Sequence, residues 1–478
     1  MRTSIPTGNY AGYETELASE PDHELTAVGA GTPAGEYLRR FWHPVHMTKD
    51  LGERPKVIRV LGEELVLFRD GQDRVGLVHR RCPHRQASLE YGTCFDRGIR
   101  CCYHGWHFDI DGTLLDAPGQ GDAANERLRA RVRLGAYPVI ELKGLIFAYL
   151  GPADDVPAFP LYDTFGLPGM EMVPYVAPFD CNWLQVLDAI LDPIHTSFLH
   201  SRMSRIQFSE GFGELGQLDF FDRGQWLLGT NTRRVGDNLW FRVNELVLPN
   251  FTQAGAAFAT DGTQRRLYGR SAFNRWVLPI DDEHSVAIGW ASFGPRGDPM
   301  EYNTPEGPEL IEQGEVFDRP YEERQRFPGD AEACEGMGAI TIHANEHLAP
   351  SDKGVAMMRR RLREGIRAVA AGEPAPRATA PPGVPLPTYG GDTVLTSPLA
   401  GSASEENLSD AAQQFMALQY AADTLSEQAR VAQVTAALVA LEERLQAKGQ
   451  IHDGSACCTR TYQEQSCFPG YVSPDPGR

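Results

Sequence analysis

Four residues in two short pairs carry the first chemical signal. One residue separates Cys82 from His84, two separate Cys101 from His104, and sixteen lie between the pairs. Two thiolates with two imidazoles suit a [2Fe–2S] cluster whose cysteines hold one iron and whose histidines hold the other, a centre that passes single electrons at a raised potential. A structural zinc ion also accepts two cysteines and two histidines. Zinc fingers, however, group the cysteines and then the histidines, whereas each pair here mixes one of each. Gly92 between the pairs and Gly105 straight after His104 suit two loops folded over a cluster. Cys102 adjoins Cys101, but the two-residue gap to His104 selects Cys101, so Cys102 and Cys94 are read as packed thiols near the site.

A second constellation is Asp192, His195 and His200, spaced D-x-x-H-x-x-x-x-H. Five residues are a little more than one helical turn, so a slightly irregular helix brings both imidazoles to one side. Two histidines and a carboxylate from elsewhere form the facial triad of non-heme Fe(II) oxygenases, which leaves positions open for dioxygen. Taken alone, such a pair is more often two buried, hydrogen-bonded imidazoles.

CPHRQASLEYG and RCCYHGWHFDIDG, around the first four residues, closely resemble the Rieske domain in the oxygenase components of ring-hydroxylating and O-demethylating systems, the phthalate dioxygenase-like branch in particular. NWLQVLDAILDPIHTSFLH is similar along its length to the iron-binding segment of that branch. The resemblance covers about residues 40–370 and implies that His195 and His200 bind a mononuclear Fe(II). It places the third ligand at Asp330, with Glu335 and Gly338 at the family's spacing; Gly329 replaces the family's Gln, and Ile342-His343 replaces an Asp-Arg pair. Glu332 and Glu335 remain alternatives, and the plainer reading of all three acids is a helix start with its charge at the N-terminus. By resemblance, Asp192 bridges His195 to the cluster ligand His104 of a neighbouring subunit, a carboxylate orienting an imidazole; the plainer reading is a helix-initiating Asp before Pro193. Asp188, one turn earlier, faces the iron cavity or simply packs.

The resemblance implies a terminal oxygenase using O2, with a Rieske [2Fe–2S] cluster and a mononuclear Fe(II) as cofactors. A separate NAD(P)H-dependent reductase, carrying flavin and iron–sulfur, supplies electrons directly or through a ferredoxin. No nicotinamide-binding motif is present: Gly29, Gly31 and Gly35 do not match G-x-G-x-x-G. The expected reaction is hydroxylation of an aromatic, carboxylated compound. The alternatives are O-demethylation of a methoxylated aromatic acid by the same machinery, or a Rieske electron carrier without oxygenase activity. A substrate carboxylate would need arginine, whose planar fork pairs with it bidentately. Arg202 and Arg205 are nearest His200, followed by Arg233, Arg234 and Arg242 on predicted strands, each read first as a surface charge. Family oxygenases are commonly homotrimers or stacked trimers that set one subunit's cluster beside the next subunit's iron.

The elements that position these residues make an α+β protein. At 478 residues the chain is long for one core, and two domains are expected. Residues 1–42 read as a lead-in ending in a short amphipathic segment, and 43–152 as an all-β Rieske domain with the cluster on two loops. Residues 152–172 read as a linker. The catalytic domain, 153–478, has a site-bearing helix followed by antiparallel strands, by resemblance a helix-grip, START-like fold. Residues 357–370 are a basic helix with a solvated or intersubunit face, 371–401 a Pro-rich, extended or mobile insertion, and 409–448 one long helix. A net charge of -19 disfavours nucleic acid and anionic membrane as partners. No apolar run is long enough for a membrane span and no signal-peptide core is visible, so the expected location is cytoplasmic. Nine cysteines in so long a chain are no disulfide framework, and Cys457, Cys458 and Cys467 read as free thiols.

Overall fold

The structure, a computed structural model, describes residues 15–167, 169–203, 210–255, 262–293, 319–397 and 404–452. Arg205 and the cysteines at 457, 458 and 467 lie outside them. Helices α1 (His23–Thr26) and α2 (Pro33–Leu38) open the described chain, the second capped by the Thr32 hydroxyl, which accepts from Gly35 N. They bury Leu25, Tyr37 and Leu38 in the main core, so this part of the lead-in is packed rather than irregular.

Short strands follow, in keeping with their alternating pattern: β1 (Trp42–Met47), β2 (Lys56–Val60), β3 (Glu63–Arg69), β4 (Val75–His79), β5 (Thr93–Cys94), β6 (Ile99–Arg100), β7 (His107–Phe108) and β8 (Leu114–Asp116). Helix α3 (Asp122–Arg131) leads to β9 (Ala136–Tyr137), β10 (Val139–Leu142) and β11 (Leu145–Tyr149). The strands form three small antiparallel sheets, β1-β11-β10, β2-β3-β4-β9 and β5-β6-β7-β8. Helix α3 interrupts what the sequence presents as all β; it buries no residue, so no apolar stripe announces it.

Strand β12 (Glu171–Phe179) opens the larger part, followed by helices α4 (Trp183–Asp188) and α5 (Pro193–Ser197). Strands β13 (Gln217–Arg223), β14 (Trp226–Val235), β15 (Asn238–Val247), β16 (Phe251–Ala254), β17 (Arg266–Arg270), β18 (Phe273–Pro279) and β19 (Ser285–Phe293) come next. Then follow α6 (Tyr321–Arg326), α7 (Asp330–Glu335), α8 (Lys353–Ala370), β20 (Gly391–Thr396), α9 (Glu405–Tyr420) and α10 (Glu427–His452). One antiparallel sheet runs β12-β19-β18-β16-β15-β14-β13, with β20 joining β15 and β17. The whole is α+β. The turn after α4 lies close under α8: a Cβ at Gly354 would stand 2.4 Å from Leu191 O, an approach that only glycine permits.

The main core joins both parts. Phe147 of β11 meets Trp276 and Trp290 of the large sheet at 5.2 and 5.8 Å between ring centroids, and Trp183 and Leu187 lie in the same cluster. A separate core surrounds Cys82, Cys101, Trp106 and Phe108.

Three elements differ from the sequence reading. Within 152–172, Tyr162 and Phe165 are buried and Asp163 pairs with Arg270; the aromatics anchor a stretch whose prolines hide any period. The Pro-rich insertion ends in β20, where residues 391–395 are buried between β15 and β17. Leu386 first bridges Tyr162, and pairing within the large sheet begins at Gly391, past Pro387. The expected long helix is two, α9 and α10, broken at 421–426, where Asp423 receives Arg223 and Arg430 and so favours a turn over continuation.

Candidate metal centres

The two loops that carry the first four residues are built alike. Cys82 N donates to Ala87 O and Cys101 N to Trp106 O, each closing a tight turn. Gly105 has φ +71°, and a Cβ there would stand 2.9 Å from Pro118 Cγ, so glycine is required beside His104. The Cys82 and Cys101 side chains are buried against each other; burial, and then the second thiol, push the Cys82 thiol up to about 11. The His84 and His104 rings lie 4.6 Å apart between centroids, and His84 stacks on Trp106 at 4.4 Å and 1°. The thiols thus form one buried pair and the imidazoles another, which fits the two irons of a [2Fe–2S] cluster; a structural zinc ion accepts the same donor types. Cys94 is half-buried, but Cys102 is exposed, a correction to its reading as a packed thiol: its neighbour's inward turn points it to solvent. Tyr103 and Tyr91 are also exposed beside the loops.

The second centre is assembled from distant segments. Asp192 caps α5, its Oδ1 accepting from the amides of Ile194 and His195 at 3.1 and 3.4 Å, with Pro193 in the first turn. The backbone then widens into a π-helical turn, Phe198–Met203. Such a turn closes i to i+5 bonds, so residues five apart share a side, and the His195 and His200 rings meet at 5.4 Å. Asp330 is the first residue of α7. Its Oδ1 lies 3.2 Å from His200 Nε2 and 3.7 Å from His195 Nε2, and the three donors fall within 4.8 Å of one another. Burial works against ionisation of Asp330, but His200, then His195 and Arg275, hold its carboxyl well below the usual range. Two imidazoles and an ionised carboxylate on one side of a site are the donor set that Fe(II) takes in facial triads.

The alternative carboxylates are engaged elsewhere. Glu332 binds Arg319 and Arg324 at 2.7 and 2.8 Å and reaches back to Gly329 N at 2.8 Å; Glu335 accepts from Arg324 and from Asp180 N. Asp188 is paired with Arg359, which also binds Glu346, so its carboxylate holds α4 to α8 and does not stand free for catalysis. Burial pushes it up to about 7 against the pull of Arg359. Arg363 on the same helix binds Asp22 and Glu24, so much of the basic face of α8 is paired within the chain.

The arginines fall differently from expectation. Arg202 is exposed, its guanidinium 5.4 Å from the Phe198 ring centroid, which removes it as a buried clamp. Arg233 and Arg242, read as surface charges, are 1% and 5% exposed; the apolar strands around them carry them inward. Arg242 pairs with buried Asp392 at 3.1 Å. Among the described residues, no carboxylate pairs with Arg233. Its Nε donates to Glu214 O and its Nη2 to Thr196 Oγ1, next to His195, while Nη1 is buried without a partner among the described residues. Burial and then Arg242 lower its pKa to about 9. The sequence signals missed are Trp106 behind His84 and Gln185 in α4, a polar residue inside an apolar run.

The Rieske [2Fe-2S] domain family matches residues 41–137. The oxygenase subunit of tert-butanol monooxygenase / tert-amyl alcohol desaturase from Aquincola tertiaricarbonis is 42% identical over 408 residues, covering 81% of this chain and 86% of that one. Phenoxybenzoate dioxygenase subunit alpha from Ectopseudomonas oleovorans is 38% identical over 395 residues, covering 78% and 92%. Among solved structures, dicamba monooxygenase bound to dicamba superposes with a TM-score of 0.52 at 18% identity, covering 70% of this chain and 99% of that one, a likeness of fold.

Proposed function

The chain belongs to the Rieske oxygenase alpha-subunit family, and from that premise we propose that it hydroxylates an aromatic compound bearing a carboxylate. It is the oxygenase component of a multicomponent system and takes its electrons from a separate reductase or ferredoxin. In this reading, Cys82, His84, Cys101 and His104 hold the cluster and His195, His200 and Asp330 the mononuclear iron. When bound, these centres supply one-electron transfer and dioxygen activation.

The chain's own residues set the rest. Asp330 stays ionised between the two imidazoles and supplies the negative charge. Asp192 keeps Oδ2 clear of the amides that Oδ1 accepts, 3.8 Å from His195 Nδ1, and is available to a neighbouring copy's His104 in a homotrimer. The NAD(P)H-dependent, flavin-containing donor is part of the same proposal.

The carboxylate is supported by one observation, the buried charge of Arg233 beside Thr196, which no described carboxylate contacts and which Asp392 and Glu214 only partly offset from a distance. An isolated buried charge is costly, and a carboxylated substrate would relieve that cost where a neutral alcohol would not. The test is turnover by the reconstituted oxygenase with reductase and O2 on matched aromatic acids, their primary amides and tertiary alcohols. Hydroxylated acid is the expected product; formaldehyde from methoxylated acids would instead show O-demethylation. Preference for the neutral compounds would sink the carboxylate reading.

A further inference from the structure

The three donors of the second centre come from segments 130 residues apart in sequence, and α7, which carries Asp330, has only six residues. So short a helix does not hold itself in place; its docking against α4 sets where the carboxylate stands. We infer that Gln185 is the positioning residue that fixes this docking and thereby the geometry of the metal site. The inference rests on reading His195, His200 and Asp330 as that site.

Gln185 is 2% exposed, in the middle of α4, ten residues before His195. Its Nε2 donates to Cys334 O at 2.8 Å and to Gly338 O at 2.9 Å. Its Oε1 accepts from Thr341 N at 2.9 Å. Both amide donors are therefore used, and all three bonds go to the main chain of the segment that continues from α7. Cys334 lies one helical turn after Asp330, so the carboxamide grips the same short helix four residues from the ligand. Gly338 has φ +95°, which turns the chain back so that its carbonyl and the Thr341 amide face the same side chain.

The other ties between the segments are Cys334 Sγ to Gln185 O at 3.7 Å, Asn182 N to Ala339 O at 2.8 Å and Asp180 N to Glu335 Oε1 at 3.1 Å. Of these, the thiol bond is long, Glu335 is reached only through its mobile side chain, and Ala339 lies beyond α7. Gln185 alone among them holds a main-chain carbonyl of α7 itself. Side chains that orient metal ligands from behind alter affinity by roughly 10–100-fold when removed.

The test compares Gln185→Leu, similar in size without polar atoms, Gln185→Glu, which keeps an acceptor and loses both donors, and Asp330→Asn. Each is prepared with its iron–sulfur cluster intact and the mononuclear site emptied, then titrated with Co(II). The cluster's EPR signal and the melting temperature are recorded beside the Co(II) dissociation constant and visible spectrum. The expected result is a dissociation constant raised at least tenfold in Gln185→Leu, raised by less in Gln185→Glu, and a changed Co(II) spectrum, with an unaltered cluster signal. If Gln185→Leu does not fold, Gln185→Glu decides alone. Wild-type Co(II) affinity and spectrum in the folded variants, even with a lowered melting temperature, would reduce Gln185 to ordinary packing and overturn the inference. Wild-type affinity in Asp330→Asn would overturn the metal-site reading, and the inference with it.

Discussion

Replacing Arg233 by Met removes a buried charge that Asp392 and Glu214 only partly offset. Its pKa falls from the ordinary guanidinium range to about 9, and at about 1.4 kcal/mol per pH unit this corresponds to roughly 5 kcal/mol of cost to the fold. For a base with a lowered pKa, that cost is present at every pH below about 9 and recedes only above it, so it is fully felt at neutral pH. Against it stand two hydrogen bonds, to Glu214 O and Thr196 Oγ1, worth about 1 kcal/mol each. Contacts with Trp240 and Phe212, at 5.0 and 5.2 Å, add about 1 kcal/mol each. The balance places Arg233→Met within about 1–2 kcal/mol of the wild type and on its stable side. Arg242→Met is the contrast, because it strands Asp392, whose side chain is 0% exposed, at about 3–5 kcal/mol. Denaturation midpoints at pH 7 with the cluster intact measure both. Arg233→Met should also weaken binding of an aromatic carboxylate by about 30-fold, some 2 kcal/mol, and leave its neutral amide unaffected. Equal destabilisation by the two variants, with unchanged carboxylate affinity, would refute the reasoning.

Two other expectations follow from the same geometry. Asp192→Asn keeps the helix cap, since Asn caps as well as Asp, so melting and metal content should hold while reoxidation of the reduced cluster by O2 and substrate slows at least tenfold; an unchanged rate would remove Asp192 from the path between sites. His43 is neutral in the fold, donating from Nε2 to Leu38 O at 2.8 Å and accepting at Nδ1 from Asn250 Nδ2 at 3.3 Å, and burial lowers its pKa to about 4. The unfolded chain takes up this proton below about 6.5 and the fold does not until about 4, so stability is full above that window and falls through it. About 2 kcal/mol should go between pH 7 and pH 5, and His43→Phe should abolish this part of the slope in denaturant midpoints measured at both pH values.

The sequence by itself determined the chemistry of both centres. Mixed Cys-His pairs and the five-residue histidine spacing are local patterns, and local spacing governs which side chains a loop or one turn of helix presents together. Strand signals likewise marked the segments that form β14, β15, β17 and β19. The resemblance pointed to Asp330 and left Glu332 and Glu335 as alternatives; the three share one short helix, and only tertiary partners, Arg319 and Arg324 for the glutamates, separate them. Tertiary structure also turned Arg233 and Arg242 inward and recruited β20 from a Pro-rich stretch into the sheet. Charge, burial and pairing across more than a hundred residues depend on which surfaces meet, and no short window of sequence encodes that.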